Sequence, residues 1–307
     1  MIKKILVTGS SGTIGTRLCE ILLSKGYEVS GADWNQNKWS AAVQSATVDV
    51  DLRDEAAVFE KLPRDADLVI HLAANARVHD LVVDPERARD NIDSTFNVLE
   101  FCRRNEIRRF AFASSREVYG NTAEYVHKES DATVAMAESP YTASKVAGES
   151  MTWAYQRCYG LDIVIFRFSN VYGMYDESNR FVPLMIRRAA KGEDLAIFGK
   201  DKLLDFTYID DCVNGIMLTI AKFDGLKQDV YNIACGEGAK LGEVAEMIRQ
   251  GMKSDSKIVF GESRTGEVLQ YVADIGKAKS KICYEPVTPI REGIRKSVEW
   301  YRQRLNL

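Results

Sequence analysis

The sequence predicts a doubly wound parallel α/β sheet followed by a smaller C-terminal lobe, and three observations predict it. Short apolar runs alternate with stretches of helical period through residues 1–169. A glycine-rich turn, Gly9-Ser10-Ser11-Gly12-Thr13-Ile14-Gly15, joins the first run to the first amphipathic stretch. Runs such as Ile5-Leu6-Val7 and Ile163-Val164-Ile165-Phe166 are short and continuously apolar, as buried parallel strands are.

Taken in order, Lys4-Ile5-Leu6-Val7 is the first strand and Ile14 to Lys25 an amphipathic helix. Glu28 to Ala32 and Ala46 to Val50 are the second and third strands, and Asp67-Leu68-Val69-Ile70-His71-Leu72 the fourth. A long helix is predicted from about Pro85 to Asn105, and Arg109-Phe110-Ala111-Phe112-Ala113 is the fifth strand. A further helix carries Tyr141 to Tyr159, and Ile163-Val164-Ile165-Phe166 is the sixth strand. After about Asn170 the rhythm breaks. Val230-Tyr231-Asn232-Ile233 and Lys257-Ile258-Val259-Phe260 read as isolated strands of a smaller lobe. The expected division is therefore 1–169 for a Rossmann-type dinucleotide-binding domain and 170–307 for a substrate lobe interleaved with it.

Composition excludes several classes of function. With 41 basic and 44 acidic side chains and a net charge of −3, the chain carries no electrostatic footprint for nucleic acid or an anionic membrane. Its six cysteines include no Cys-x-x-Cys pair and it has three histidines, which argues against a zinc site or a disulfide framework. Scattered cysteines suit a reducing compartment. No apolar stretch is long enough for a signal peptide or a membrane span. The expectation is a cytoplasmic protein without metal, nucleic-acid or membrane partners.

The turn at Gly9, Gly12 and Gly15 has the spacing Gly-x-x-Gly-x-x-Gly. Its glycines let the backbone approach a pyrophosphate, and the helix opening at Thr13 and Ile14 offers free N–H groups to it. Asp33 ends the second strand, eighteen residues after Gly15. A carboxylate there accepts from both adenosine ribose hydroxyls and repels a 2′-phosphate, so the cofactor predicted is NAD rather than NADP. Tyr141 and Lys145 stand four apart on one helix face, and the ammonium is expected to favour the phenolate. Ser115, at the end of the fifth strand, would complete a Ser–Tyr–Lys site. His71 at the end of the fourth strand reads as structural.

Together these residues resemble the extended short-chain dehydrogenase/reductase family, in its nucleotide-sugar epimerase and dehydratase branch typified by UDP-glucose 4-epimerases. The markers are Thr8 to Gly15, Asp51-Leu52, His71-Leu72-Ala73-Ala74, Asn91 with Ser94-Thr95, Ser114-Ser115-Arg116-Glu117-Val118-Tyr119-Gly120, the Tyr141/Lys145 pair, Arg167 to Gly173, and Asp205 to Asp211. The resemblance implies that Asp51 and Leu52 flank the adenine, that Leu72, Ala73 and Ala74 pass under the cofactor, that Asn91 braces it, and that Phe168 belongs to the same wall. It also implies a UDP-sugar substrate contacted by Ser115, Asn170, Phe198 (within Leu195-Ala196-Ile197-Phe198-Gly199) and Arg264, and a homodimer formed through helices near 90–105 and 142–158. Leu204 stands where many members carry a phosphate-binding arginine, leaving that charge to Lys200, Lys202 or Arg180.

The implied first step is oxidation at C4 of the sugar, with Tyr141 as base, Ser115 sharing the hydroxyl and Lys145 holding the nicotinamide ribose. The fate of the 4-keto sugar is open. Epimerisation needs no further acid or base. A 4,6-dehydratase or a uronate decarboxylase would use Glu117, which shares a face with Ser115 if the backbone stays extended. The dehydratases place an aspartate where this chain has Arg116, which argues against a standard elimination. Arg116 and Arg77 are alternative contacts for an acidic sugar. A non-catalytic dinucleotide sensor on the same fold is the reading from another class.

Overall fold

The computed structural model describes residues 2–305. Seven parallel strands form the central sheet: β1 (Lys4–Thr8), β2 (Glu28–Asp33), β3 (Thr47–Asp49), β4 (Leu68–His71), β5 (Arg109–Ser115), β6 (Asp162–Phe168) and β7 (Asp229–Ile233). Their order across the sheet is β3-β2-β1-β4-β5-β6-β7. Chain direction across the sheet reverses between β1 and β4, and in such sheets ligands bind outside the carboxyl ends at that crevice.

Val230–Ile233 is not isolated, as the sequence pattern suggested. It pairs in parallel with β6, from Asp229 opposite Val164 to Ile233 opposite Phe168. Tyr231 and Ile233 are buried on one face and Val230 and Asn232 on the other, so burial on both faces decides its place. The second half of the chain thus completes the first sheet. In exchange, Val126–His127 pairs with Gln270–Ala273 in a smaller sheet, which also contains Leu203–Tyr208, Gly238–Lys240 and Asn170–Tyr172. Ile258–Gly261 pairs in parallel with Leu195–Phe198.

Three helices position the site: α1 (Thr13–Ser24), α2 (Glu86–Arg104) and α3 (Pro140–Tyr159). α3 begins sharply because Ser139 accepts from the Thr142 N–H and Pro140 occupies the first turn. α2 and α3 pack against each other on one face of the sheet. Cys19, Cys102 and Cys212 are buried within the fold. Among the described residues no helix is long and apolar enough to cross a membrane.

Candidate active site

A cleft of about 520 Å³ opens at the carboxyl ends of the central strands. Its floor is set by register: Thr8 lies beside Ala32 and His71, and Ser115 beside Phe168. His71 is locked there between the hydroxyls of Thr8 (2.7 Å) and Thr95 (3.2 Å), and burial drops its pKa to about 3. It is a neutral structural residue.

The glycine turn forms one end of the cleft. Gly9 has φ +72°, and a Cβ on it would fall 2.7 Å from the Ala73 nitrogen. At Gly15 a Cβ would lie 2.0 Å from the Gly9 carbonyl oxygen. Gly12 starts α1 without a side-chain cap, so the first helical N–H groups, at Thr13 and Ile14, face the cleft unclaimed. Asp33 accepts from Ser11 N–H at 2.9 Å and Asn35 N–H at 2.8 Å. Burial raises its pKa and those bonds oppose the rise. Beside it, the Arg53 guanidinium lies 4.8 Å above the Trp34 ring and grips Asp51 through Nε and Nη2. That grip holds the Asp51 carboxyl below its usual range. Leu52, Leu72, Ala73 and Ala74 continue the wall. Asn91 staples it: its amide donates to the Asn75 carbonyl (3.0 Å) and Ser144 (3.1 Å) and accepts from Asn75 N–H (2.7 Å). These residues fit a dinucleotide.

Ser115, Tyr141 and Lys145 meet in the middle of the cleft. Lys145 Nζ donates to the Ala113 carbonyl at 2.9 Å and lies 5.8 Å from the Tyr141 ring centre. Burial lowers its pKa to about 8. The protein's own groups do not depress Tyr141 in the way expected from its neighbour. Burial raises the phenol, while Ser115, Arg180 and Arg116 pull against it.

The other end holds the predicted substrate residues. Arg264 lies 4.1 Å over the Phe198 ring. Asn170 donates to the Asp205 carbonyl at 2.9 Å, and its amide oxygen accepts from Arg116 Nε at 3.3 Å. Lys202 is buried in an ion pair with Glu267, and Arg180 pairs with Asp176 at 3.5 Å. Both line the cleft beside Leu204, whereas Lys200 does not. Ser115 and Glu117 do not share an extended face. A 3₁₀ turn, Arg116–Tyr119, follows β5 directly, and Ser115 Oγ caps it by accepting from Glu117 N–H at 3.2 Å. The Glu117 carboxylate turns to Arg116, 2.7 Å away.

Sequence reasoning missed Arg53, Arg188 and Glu267, which also line the cleft. It also missed the polar frame behind it, where Glu149 receives both Ser114 (2.5 Å) and a two-pronged Arg167 (2.9 and 2.7 Å). A glutamate four residues after Lys145 on α3, beside the arginine of β6, was the available signal.

The comparisons with known proteins define the class: an NAD-dependent nucleotide-sugar epimerase or dehydratase. The chain belongs to the NAD dependent epimerase/dehydratase family, whose model matches residues 5–234. NAD is its cofactor. It is 30% identical to a UDP-glucuronate 4-epimerase of Thermodesulfobacterium geofontis, with 98% of this chain and 97% of the relative covered. It is similar to the crystal structure of UDP-glucose 4-epimerase with UDP-glucose from Thermotoga maritima, at 28% identity and a TM-score of 0.87, covering 98% of this chain and 99% of that one. It is also similar to DesIV, a dTDP-glucose 4,6-dehydratase from Streptomyces venezuelae with NAD and TYD bound, at 27% identity and a TM-score of 0.90, covering 99% and 98%.

Proposed function

We propose that the protein catalyses 4-epimerisation of a UDP-linked hexose, N-acetylhexosamine or hexuronic acid through a 4-keto intermediate. The observation that carries this reading over elimination is the Arg116–Glu117 ion pair. It occupies the position beside Ser115 with a side chain that cannot serve as an acid and a carboxylate already engaged.

Gly9, Gly12, Thr13, Ile14 and Gly15 would hold the pyrophosphate of NAD, Asp33 the adenosine ribose, and Asp51, Leu52, Leu72, Ala73, Ala74, Asn91 and Phe168 the remaining walls. What bound NAD supplies is a reversible acceptor for the hydride that leaves C4. Tyr141 takes the proton of the sugar 4-hydroxyl and returns it after the keto sugar has presented its other face. Ser115 would share that hydroxyl, and Lys145 holds its ammonium near the Phe112 and Tyr141 rings, from where it would hold the nicotinamide ribose. Arg264 and Phe198 form one platform, which suits a diphosphate beside a flat base. The outer face of α2 and α3 exposes Phe96 and Tyr159, which suits a homodimer.

A second reading, dehydration or decarboxylation, is favoured by one feature. Glu117 Oε2 is buried without a partner, and burial raises this carboxyl. The deciding experiment is mass spectrometry and proton NMR on the protein incubated with NAD and a panel of UDP-sugars. A product of unchanged mass with inverted C4 couplings supports epimerisation. Loss of water or carbon dioxide overturns it. Tyr141→Phe should lower turnover by about 10²- to 10⁴-fold while NAD stays bound.

A further inference from the structure

Glu149 lies one helical turn after Lys145 on the face of α3 that also carries Tyr141. Its carboxylate collects donors from two strands. Ser114 Oγ, on β5, donates at 2.5 Å, and Arg167, on β6, donates through Nε at 2.9 Å and Nη2 at 2.7 Å. Ser114 and Arg167 stand opposite each other in the ladder of β5 and β6, so one carboxylate ties α3 to both. A Cβ on Gly148 would fall 2.3 Å from the Phe112 ring, so a glycine lets α3 come down onto β5 at this point. Arg167 is 5% exposed, and its Nη1 donates to the Glu129 carbonyl at 2.7 Å and the Tyr119 hydroxyl at 3.2 Å. Neither Glu149 nor Arg167 lines the cleft.

This arrangement sets one carboxylate between two buried cations. Lys145 Nζ is held by the Ala113 carbonyl rather than by a carboxylate. Burial disfavours its charge, and Glu149 is the charged group that opposes burial. The other groups around Lys145 give no such help. Tyr141 lies beside it on α3, and His71, facing it from β4, is kept neutral by burial. Arg116, Glu117 and Arg180 act on Tyr141 instead. Among the described residues Arg167 has no ion-pair partner besides Glu149. Without that carboxylate it would be a second uncompensated cation beside α3.

Resting on the proposed roles of Ser115, Tyr141 and Lys145, we propose that Glu149 is a positioning residue. It is the shared counter-ion of Lys145 and Arg167: through it Lys145 stays an ammonium beside Tyr141, and Ser114 keeps the adjacent Ser115 in register with both. A purely structural salt bridge responds alike to loss of either partner. A shared counter-ion responds in opposite directions. Removing the carboxylate makes the Lys145 ammonium harder to keep, whereas removing Arg167 leaves the carboxylate to Lys145 alone.

The test is a carbon-13 NMR titration of the full-length protein, labelled in its lysine side chains and free of any sugar. The signal lost in Lys145→Met assigns Lys145. Its midpoint, about 8 in the native protein, should fall by about one pH unit in Glu149→Gln and rise in Arg167→Gln. Glu149→Asp, which keeps the charge, should bring it back toward the native value. In turnover of a UDP-sugar, the alkaline limb of kcat should move with this midpoint. Where Glu149→Gln alone does not fold, the double variant Glu149→Gln with Arg167→Gln leaves neither charge unpaired, and its midpoint should still lie below the native one. An unmoved midpoint in Glu149→Gln, or a shift of the same sign in Glu149→Gln and Arg167→Gln, overturns the proposal. Absence of turnover with every UDP-sugar overturns the epimerase reading, and the lysine titration, which needs no sugar, still decides on Glu149.

Discussion

Lys145, on α3, donates its ammonium to the carbonyl of Ala113, on β5, at 2.9 Å. The bond ties the helix that carries Tyr141 to the strand that carries Ser115. It also keeps a cation in a place that disfavours it. The folded pKa, about 8, lies below the ordinary 10.5. Below pH 8 the fold therefore bears the full penalty of the buried charge, and the penalty fades as pH rises from 8 to 10.5. Lys145→Met should raise stability at pH 7, by at most roughly 3 kcal/mol, and the gain should vanish near pH 10.5. Urea denaturation at several pH values checks this. Activity should be lost in the same variant, since stability is surrendered here for chemistry.

Gly15→Ala should abolish dinucleotide binding while sparing most of the fold. The new Cβ would meet the Gly9 carbonyl oxygen at 2.0 Å, and backbone rather than a flexible side chain would have to move. NAD titration with circular dichroism on the same sample distinguishes a spoiled turn from an unfolded protein.

Asp33→Ser should weaken NAD by about tenfold to a hundredfold, the range expected for losing hydrogen bonds to a charged acceptor. It should narrow the gap to NADP, because Arg53 already lies over Trp34 beside the site. Dissociation constants for the two dinucleotides measure the shift, and an unchanged ratio would remove Asp33 from ribose recognition.

Asp205→Ala should destabilise the protein by about 4 kcal/mol. The carboxylate accepts from the Cys235, Gly236 and Ala273 N–H groups, which would be stranded, while Ser169 Oγ keeps the backbone carbonyl of residue 205 at 2.7 Å. Thermal denaturation checks the loss.

What was legible in the chain was what short spacing dictates. The glycine turn, Asp33 at a strand end, and Tyr141 with Lys145 one helical turn apart all follow from local geometry, and Ser115 from its place after an apolar run. What was not legible depended on distant partners. Nothing local about Val230–Ile233 says that its neighbour is β6, some sixty residues earlier. Glu117 was placed by assuming extended backbone, and a 3₁₀ turn capped by Ser115 rotated it onto Arg116. The pairing of Lys202 with Glu267 spans 65 residues, and the environment of Tyr141 depends on how deeply α3 is buried.

The late arrival of β7 has a consequence for biogenesis. When residues 1–169 have left the ribosome, β6 still presents an unpaired, apolar edge, and it does so until residue 233 has emerged. At about 5–20 residues per second that interval lasts several seconds. A fragment ending at residue 169 would keep the edge open permanently. It should aggregate where a fragment ending after the helix Leu241–Met252 stays dispersed.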